Sequence, residues 1–153
     1  MLDDLNILRG VNVQCVDVAF CGLAAVPEAL AGMENMTRLD LIGNPIKSGW
    51  ERLRSLHQLQ ELNLWHCQLT ELPETLTCME SVTSLNLWGN KVERGWEWLR
   101  SLHQLNLQEC GLTELPEALA GMESLTSLNL GINQIERGWE RLRSLHQLRE
   151  LNL

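Results

Sequence analysis

Apolar residues return along this chain in one unit, apolar-x-x-apolar-x-apolar-x-x-Asn/Cys-x-apolar. The last apolar site of each strand-like stretch falls at Val18, Leu41, Leu64, Leu87, Leu107, Leu130 and Leu153. Neighbouring sites lie 23 residues apart, except Leu87 and Leu107, which lie 20 apart. A fixed period in this range marks a solenoid, in which each turn buries its apolar edge against the next. The pattern predicts seven parallel strands at 13–18, 36–41, 59–64, 82–87, 102–107, 125–130 and 148–153.

Between the strands, two kinds of turn alternate. One runs CxLTELPEALAGMES, at 21–35, 67–81 and 110–124. Pro27, Pro73 and Pro116 have a preset φ and no N–H, which suits the first position of a short helix, and Gly32 and Gly121 suit a left-handed exit. The other kind runs NxIERGWERLRSLHQ, at 44–58, 90–104 and 133–147. Here Trp50, Leu53 and Leu56 recur every three residues, as do Trp139, Leu142 and Leu145, so a helical outer segment with one buried face is expected. Ser48 and Glu51 have capping-box spacing. Trp50, Trp96 and Trp139 are expected in the core. The segment SLHQLNL (101–107) lacks three residues of SLHQLQELNL (55–64), which predicts a shorter helix after Trp96.

The segments LQELNLWHCQL (59–69), VTSLNLWGNKV (82–92) and LTSLNLGINQI (125–135) resemble leucine-rich repeats, and LTELPE at 69–74 and 112–117 is similar to their typical 23-residue class. The resemblance implies an α/β fold: a right-handed horseshoe with a concave parallel sheet of about seven strands, short outer helices and protein–protein recognition as the usual task. A single domain over 1–153 is expected. Residues 1–12, with Leu2, Leu5 and Leu8, read as a cap-like start, and 13–153 as six repeats and a final strand without a carboxy-terminal cap.

Charge narrows the partners. A formal charge of −8 and a pI near 4.9 argue against nucleic acid, whose phosphates are met by Lys and Arg. No uninterrupted apolar stretch approaches the ~18 residues of a membrane span, and MLDDLNILRG has no basic start of the secretory kind. Cys21, Cys67 and Cys110 take the place of Asn44, Asn90 and Asn133 in alternate turns, an inward site where neutral Cys is expected as a small buried hydrophobe. Two stacked turns, about 10 Å, separate them, too far for a disulfide. Reduced thiols in a cytoplasmic setting follow.

Strand alternation sends three rows of side chains to the concave face. Arg38, Glu61, Ser84, Gln104 and Ser127 form the first, and Asp17, Asp40, Asn63, Asn86, Asn106, Asn129 and Asn152 the second. The third is Ala19, Ile42, Trp65, Trp88, Gln108 and Gly131, extended one residue further by Phe20, His66 and Ile132. Stacked amides in the second row read as a scaffold ladder. Ile42, Trp65 and Trp88 form an apolar patch with no covering layer, and Trp is enriched at binding hot spots. A protein or peptide site is therefore assigned to Ile42, Asn63, Trp65, His66, Asn86 and Trp88.

On the outer face, Glu71, Arg94, Glu114 and Arg137 alternate in sign at adjacent turns, as do Glu34, His57, Glu80, His103, Glu123 and His146. Both ladders read as solvated faces that favour one register. No catalytic, metal or cofactor constellation stands out, so no enzyme is expected. The alternative function is a structural or self-assembling scaffold, or an engineered or truncated fragment of a larger protein. Leu148, Leu151 and Leu153 on the last strand predict a homodimer through that edge.

Overall fold

The computed structural model describes residues 11–153; the cap-like start expected at Leu2, Leu5 and Leu8 lies outside them. Seven strands of three residues form one parallel sheet in sequential order: β1 (Cys15–Asp17), β2 (Arg38–Asp40), β3 (Glu61–Asn63), β4 (Ser84–Asn86), β5 (Gln104–Asn106), β6 (Ser127–Asn129) and β7 (Glu150–Asn152). Each lies inside its expected span. Val16, Leu39, Leu62, Leu85, Leu105, Leu128 and Leu151 share one register line. Leu39, Leu62, Leu85, Leu105 and Leu128 of that line are buried, as are Leu41, Leu64, Leu87, Leu107 and Leu130 beyond them. Each such side chain contributes about 1.5–3 kcal/mol of burial, and the stack makes the core a continuous ribbon running from turn to turn.

Among the described residues the outer segments are six 3-10 helices: η1 (Glu28–Gly32), η2 (Trp50–Ser55), η3 (Glu74–Cys78), η4 (Trp96–Trp98), η5 (Glu117–Gly121) and η6 (Trp139–Ser144). Side chains three apart eclipse in a 3-10 helix, so the Trp50–Leu53–Leu56 step of three lays one apolar row on the core. The short η4 follows from the missing tripeptide.

The helix ends differ from expectation. Pro27, Pro73 and Pro116 sit just before their helices with extended ψ values of 138, 135 and 136°. Those helices leave through Met33, Met79 and Met122 at φ −98, −102 and −91°, so Gly32 and Gly121 supply no left-handed exit. Left-handed glycines instead precede the tryptophans, Gly49, Gly95 and Gly138 having φ of 81, 89 and 87°. With Gly49 in the capping position, the Ser48–Glu51 box does not form; the Ser48 carbonyl accepts from Val26 N–H at 3.0 Å.

Turns associate in pairs. Single parallel bridges, Ala25 with Ser48, Glu71 with Arg94 and Glu114 with Arg137, each join a Pro-led turn to the Trp-led turn after it. The alternating ladder thereby resolves into two exposed ion pairs within double turns, Glu71–Arg94 at 2.8 Å and Glu114–Arg137 at 3.1 Å. Arginine clamps two of the three double turns: Arg52 donates to the Val26 carbonyl and Arg141 to that of Leu115, with Arg141 also 2.7 Å from Glu114. Trp98 stands at the corresponding place in the middle double turn.

Asn44 and Asn90 are wholly buried and staple three segments each. Asn90 Nδ2 donates to the Leu64 and Leu87 carbonyls at 2.7 and 2.8 Å, and its Oδ1 accepts from Leu69 N–H at 3.0 Å. Cys67 and Cys110 keep part of this role, their Sγ atoms donating to the Leu41 and Leu87 carbonyls at 3.2 and 3.3 Å. Burial pushes each of these thiols from 9.0 up to about 11. Cys21, expected to be buried with them, is exposed, as are Cys15 and Cys78, and all five are free thiols. Among the Trp-led tryptophans, Trp96 is buried and Trp50 half-buried against the core. Trp139 is 40% exposed, contrary to expectation, because no described helix stacks on η6 from the far side.

Candidate functional site: the concave aromatic rim

Strands β1 to β6 end in the same local device. Asp17, Asp40, Asn63, Asn86, Asn106 and Asn129 accept, through Oδ1, the N–H two residues on, at distances such as 3.3 Å for Asn63 with Trp65 and 3.1 Å for Asn86 with Trp88. This is an Asx turn. It ends β pairing and sets the next side chain at the border of the sheet. The amide row is therefore not a stack of mutually bonded amides. Along the row, Asn63 Nδ2 reaches Asp40 at 3.3 Å, while Asn129 reaches sideways to Gln108 at 3.1 Å.

Beyond these turns lie Ile42, Trp65 and Trp88, all half-buried rather than fully open. The reason is mutual cover. The Trp65 and Trp88 rings stack at 4.6 Å with 17° between planes, and the His66 ring tilts against Trp65 at 5.4 Å. Trp88 Nε1 donates to Glu109 Oε2 at 3.1 Å, whereas Trp65 Nε1 is buried without a partner. An unmet buried donor costs about 1–3 kcal/mol.

One residue further out, every turn enters the left-handed region: Phe20 at φ 55°, Gly43 at 67°, His66 at 51°, Gly89 at 69°, Glu109 at 53° and Ile132 at 58°. Glycine adopts this conformation freely, but a side chain makes it costlier by about 1–2 kcal/mol. Two turns use glycine and gain room. A Cβ on Gly43 would meet the Phe20 ring at 2.4 Å, and one on Gly89 the His66 ring at 2.4 Å. The other four turns hold side chains in strained backbone, and all four are exposed, Phe20 and Ile132 by 71% and 69%. Strain retained to display Phe20, His66, Glu109 and Ile132 points to use of the rim.

The assigned residues thus come together over β2 to β4. Asn63 and Asn86 hold the turns, Trp65 and Trp88 form the stack, His66 lies at its edge and Ile42 adjoins it. Glu109 was not singled out from sequence; its signal was its place one turn beyond His66 and Gly89 at the same register. The face is acidic, with Asp17, Asp40, Glu61 and Glu150 against Arg38 on the three rows and Glu109 at the rim. At the far edge, Leu148 is partly buried while Leu151 and Leu153 are exposed. Among the described residues, no group of three His, Cys, Asp or Glu could hold a metal ion, and no helix is long and apolar enough to cross a membrane.

A curved parallel sheet with one strand and one short helix per 23-residue turn is the leucine-rich repeat solenoid. The Leucine Rich Repeat family model matches residues 58–79 and 101–122, both running into Pro-led turns. Its solved neighbours agree, and the chain has the leucine-rich repeat fold. A leucine-rich repeat protein of Leptospira interrogans is similar, with TM-score 0.74 and 26% identity over 84% of this chain and 33% of that one. A chain of the Drosophila Toll–Spatzle complex has TM-score 0.72 and 22% identity over 82% and 18%. An internalin of Listeria monocytogenes has TM-score 0.59 and 23% identity over 83% and 44%. The chain therefore spans less than half the length of each. No curated protein matches it significantly.

Proposed function

We propose that this chain is a non-enzymatic recognition module that holds a basic segment of a partner protein against its concave face. The observation that carries the reading is the Trp65–Trp88 stack, 4.6 Å between rings, on a face with no outer layer. Indole faces attract cations by about 0.5–2 kcal/mol. Glu109, fixed to the Trp88 indole N–H, sets a carboxylate where a guanidinium or ammonium on that ring would meet it. Asp40 and Glu61 extend the same sign across β2 and β3. Unpaired thiols fit a reducing compartment, so a cytoplasmic setting belongs to this reading.

The test is selection of displayed peptides on the immobilised chain, followed by calorimetry of the recovered binders. Basic sequences are expected. Trp65→Ala and Trp88→Ala should each weaken them at least tenfold, while Trp139→Ala, an exposed tryptophan off the site, should not. Binders indifferent to Trp65 and Trp88 would overturn the reading.

A second reading, self-association, is favoured by the exposure of Leu151 at 42%, against 0–2% for Leu39, Leu62 and Leu85 on the same register line. Two β7 edges related by a two-fold axis would pair antiparallel. Light scattering across a dilution series, beside Leu151→Lys, tests it: a wild type monomeric at every concentration excludes it.

A further inference from the structure

The outer face has one irregular place, and it coincides with two departures in the sequence. In the first and third double turns, η2 and η6 are six residues long and an arginine on each reaches back to the carbonyl of the preceding turn. In the middle double turn η4 has three residues and Trp98 replaces that arginine. The strand register runs on undisturbed through Leu85 and Leu105, so the lost tripeptide is taken entirely from the outer layer. In core terms, Leu99 and Leu102 match Leu56 and Leu59, and Leu53 has no counterpart between Trp96 and Leu99.

The space left is an open pocket of about 390 Å³ between η3 and η4. Its floor is aliphatic, formed by Leu76, Met79, Val82, Leu85, Leu99 and Leu102. Glu80, Glu97 and Arg100 also line it, as do the hydroxyl-bearing Thr77 and Ser101. Pockets of roughly 300–1,000 Å³ with mostly apolar walls and few polar groups are the ordinary form of small-molecule sites. Other crevices lie between double turns or at the ion-pair seam, where charged residues such as Lys91, Glu93, Glu114 and Arg141 alternate with apolar ones.

We propose that this pocket is a binding site for a small, uncharged, mainly hydrocarbon molecule with one hydrogen-bonding group directed outward. The hydrocarbon part takes the place of the core side chain that the middle double turn lacks, releasing water that the aliphatic floor cannot hydrogen-bond. A charged ligand is disfavoured on two grounds. Glu80 and Glu97 outnumber Arg100, so an anion is not drawn in, and the floor offers no partner to a desolvated charge of either sign. The site lies on the opposite side of the sheet from Trp65 and Trp88, and it does not depend on the concave-face reading.

The experiment is a fluorescence titration of the chain with 1-aminoanthracene, a neutral aromatic probe. The wild type should show saturable enhancement with one site per chain. Inserting Arg-Glu-Leu between Leu105 and Asn106 restores the sister sequence LHQLRELNL and should weaken the probe at least tenfold. Ser101→Phe, at an exposed position on the pocket, should do the same without altering the core. Trp65→Ala/Trp88→Ala should bind the probe as the wild type does. The proposal is overturned if the wild type shows no saturable enhancement, if the insertion and Ser101→Phe variants both bind like the wild type, or if the tryptophan variant abolishes binding.

Discussion

Replacing Asn90 by alanine should be among the most damaging single changes in the chain. The amide makes four bonds, donating to the Leu64, Leu87 and Trp88 carbonyls at 2.7, 2.8 and 3.4 Å and accepting from Leu69 N–H at 3.0 Å, and the residue has no exposed surface. Alanine leaves the Leu69 N–H without a partner and takes one bond from carbonyls that each keep a backbone donor, Cys67 N–H for Leu64 and Asn90 N–H for Leu87. At about 1–3 kcal/mol for the unmet N–H and about 0.5–1.5 kcal/mol for each of the two short bonds lost, the loss should be about 4 kcal/mol. That is a large share of the ~5–15 kcal/mol typical of a domain. Asn90→Cys should cost roughly half as much, because Cys67 and Cys110 each retain a bond to the preceding strand's carbonyl. Exposed Asn35→Ala is the control and should stay within about 0.5 kcal/mol. Urea unfolding followed by tryptophan fluorescence and circular dichroism together reads the series. Equal midpoints for Asn90→Ala and Asn35→Ala would refute the staple, and so would Asn90→Cys at the level of Asn90→Ala.

Gly89→Ala should destabilise by about 1–2 kcal/mol through its left-handed backbone and displace the His66 ring, which thermal melting and the His66 ring resonances report. A thiol reagent should modify Cys15, Cys21 and Cys78 quickly in the folded chain, and Cys67 and Cys110 only on unfolding. The same burial has a pH consequence. Their folded pKa, about 11, lies above the ordinary 9.0, so the unfolded chain releases these protons first. Stability should be fully present below pH 9 and fall as pH rises toward about 11, a decline that Cys67→Ala/Cys110→Ala should flatten in urea titrations. Glu109→Ala should weaken a basic peptide on the concave face several-fold more than Glu109→Gln does, since glutamine keeps an acceptor for Trp88 Nε1; calorimetry separates the two.

The strands were legible because period-two alternation and a fixed repeat leave one register that buries Leu39, Leu62, Leu85, Leu105 and Leu128 together. The 3-10 character was also written in the chain, in the three-residue step of Trp50, Leu53 and Leu56, but an α-helical glycine exit was assumed at Gly32 and Gly121. Left-handed backbone fell instead at Gly49, Gly95 and Gly138, where the chain doubles back onto the preceding turn. The alternation of two kinds of turn marked a two-turn repeat, but not which neighbours bridge, nor that Arg52 and Arg141 clamp the pairs through backbone carbonyls. Position in the stack defeated two burial expectations: Cys21 lies in the first described turn and Trp139 in the last helix. At the candidate site, the concave rows gave Trp65 and Trp88. Their stacking, the Asx turns beneath them and the Glu109 bond depend on side-chain conformations that a row assignment does not contain.

The most direct test of the concave-face claim is to follow the indole N–H resonances while a selected basic peptide is added. The signals of Trp65, whose donor is unpartnered, and of Trp88, bonded to Glu109, should shift and saturate together, while those of Trp50, Trp96 and Trp139 stay in place. Shifts confined to the latter three, or a bound peptide that leaves Trp65 and Trp88 unmoved, would contradict it.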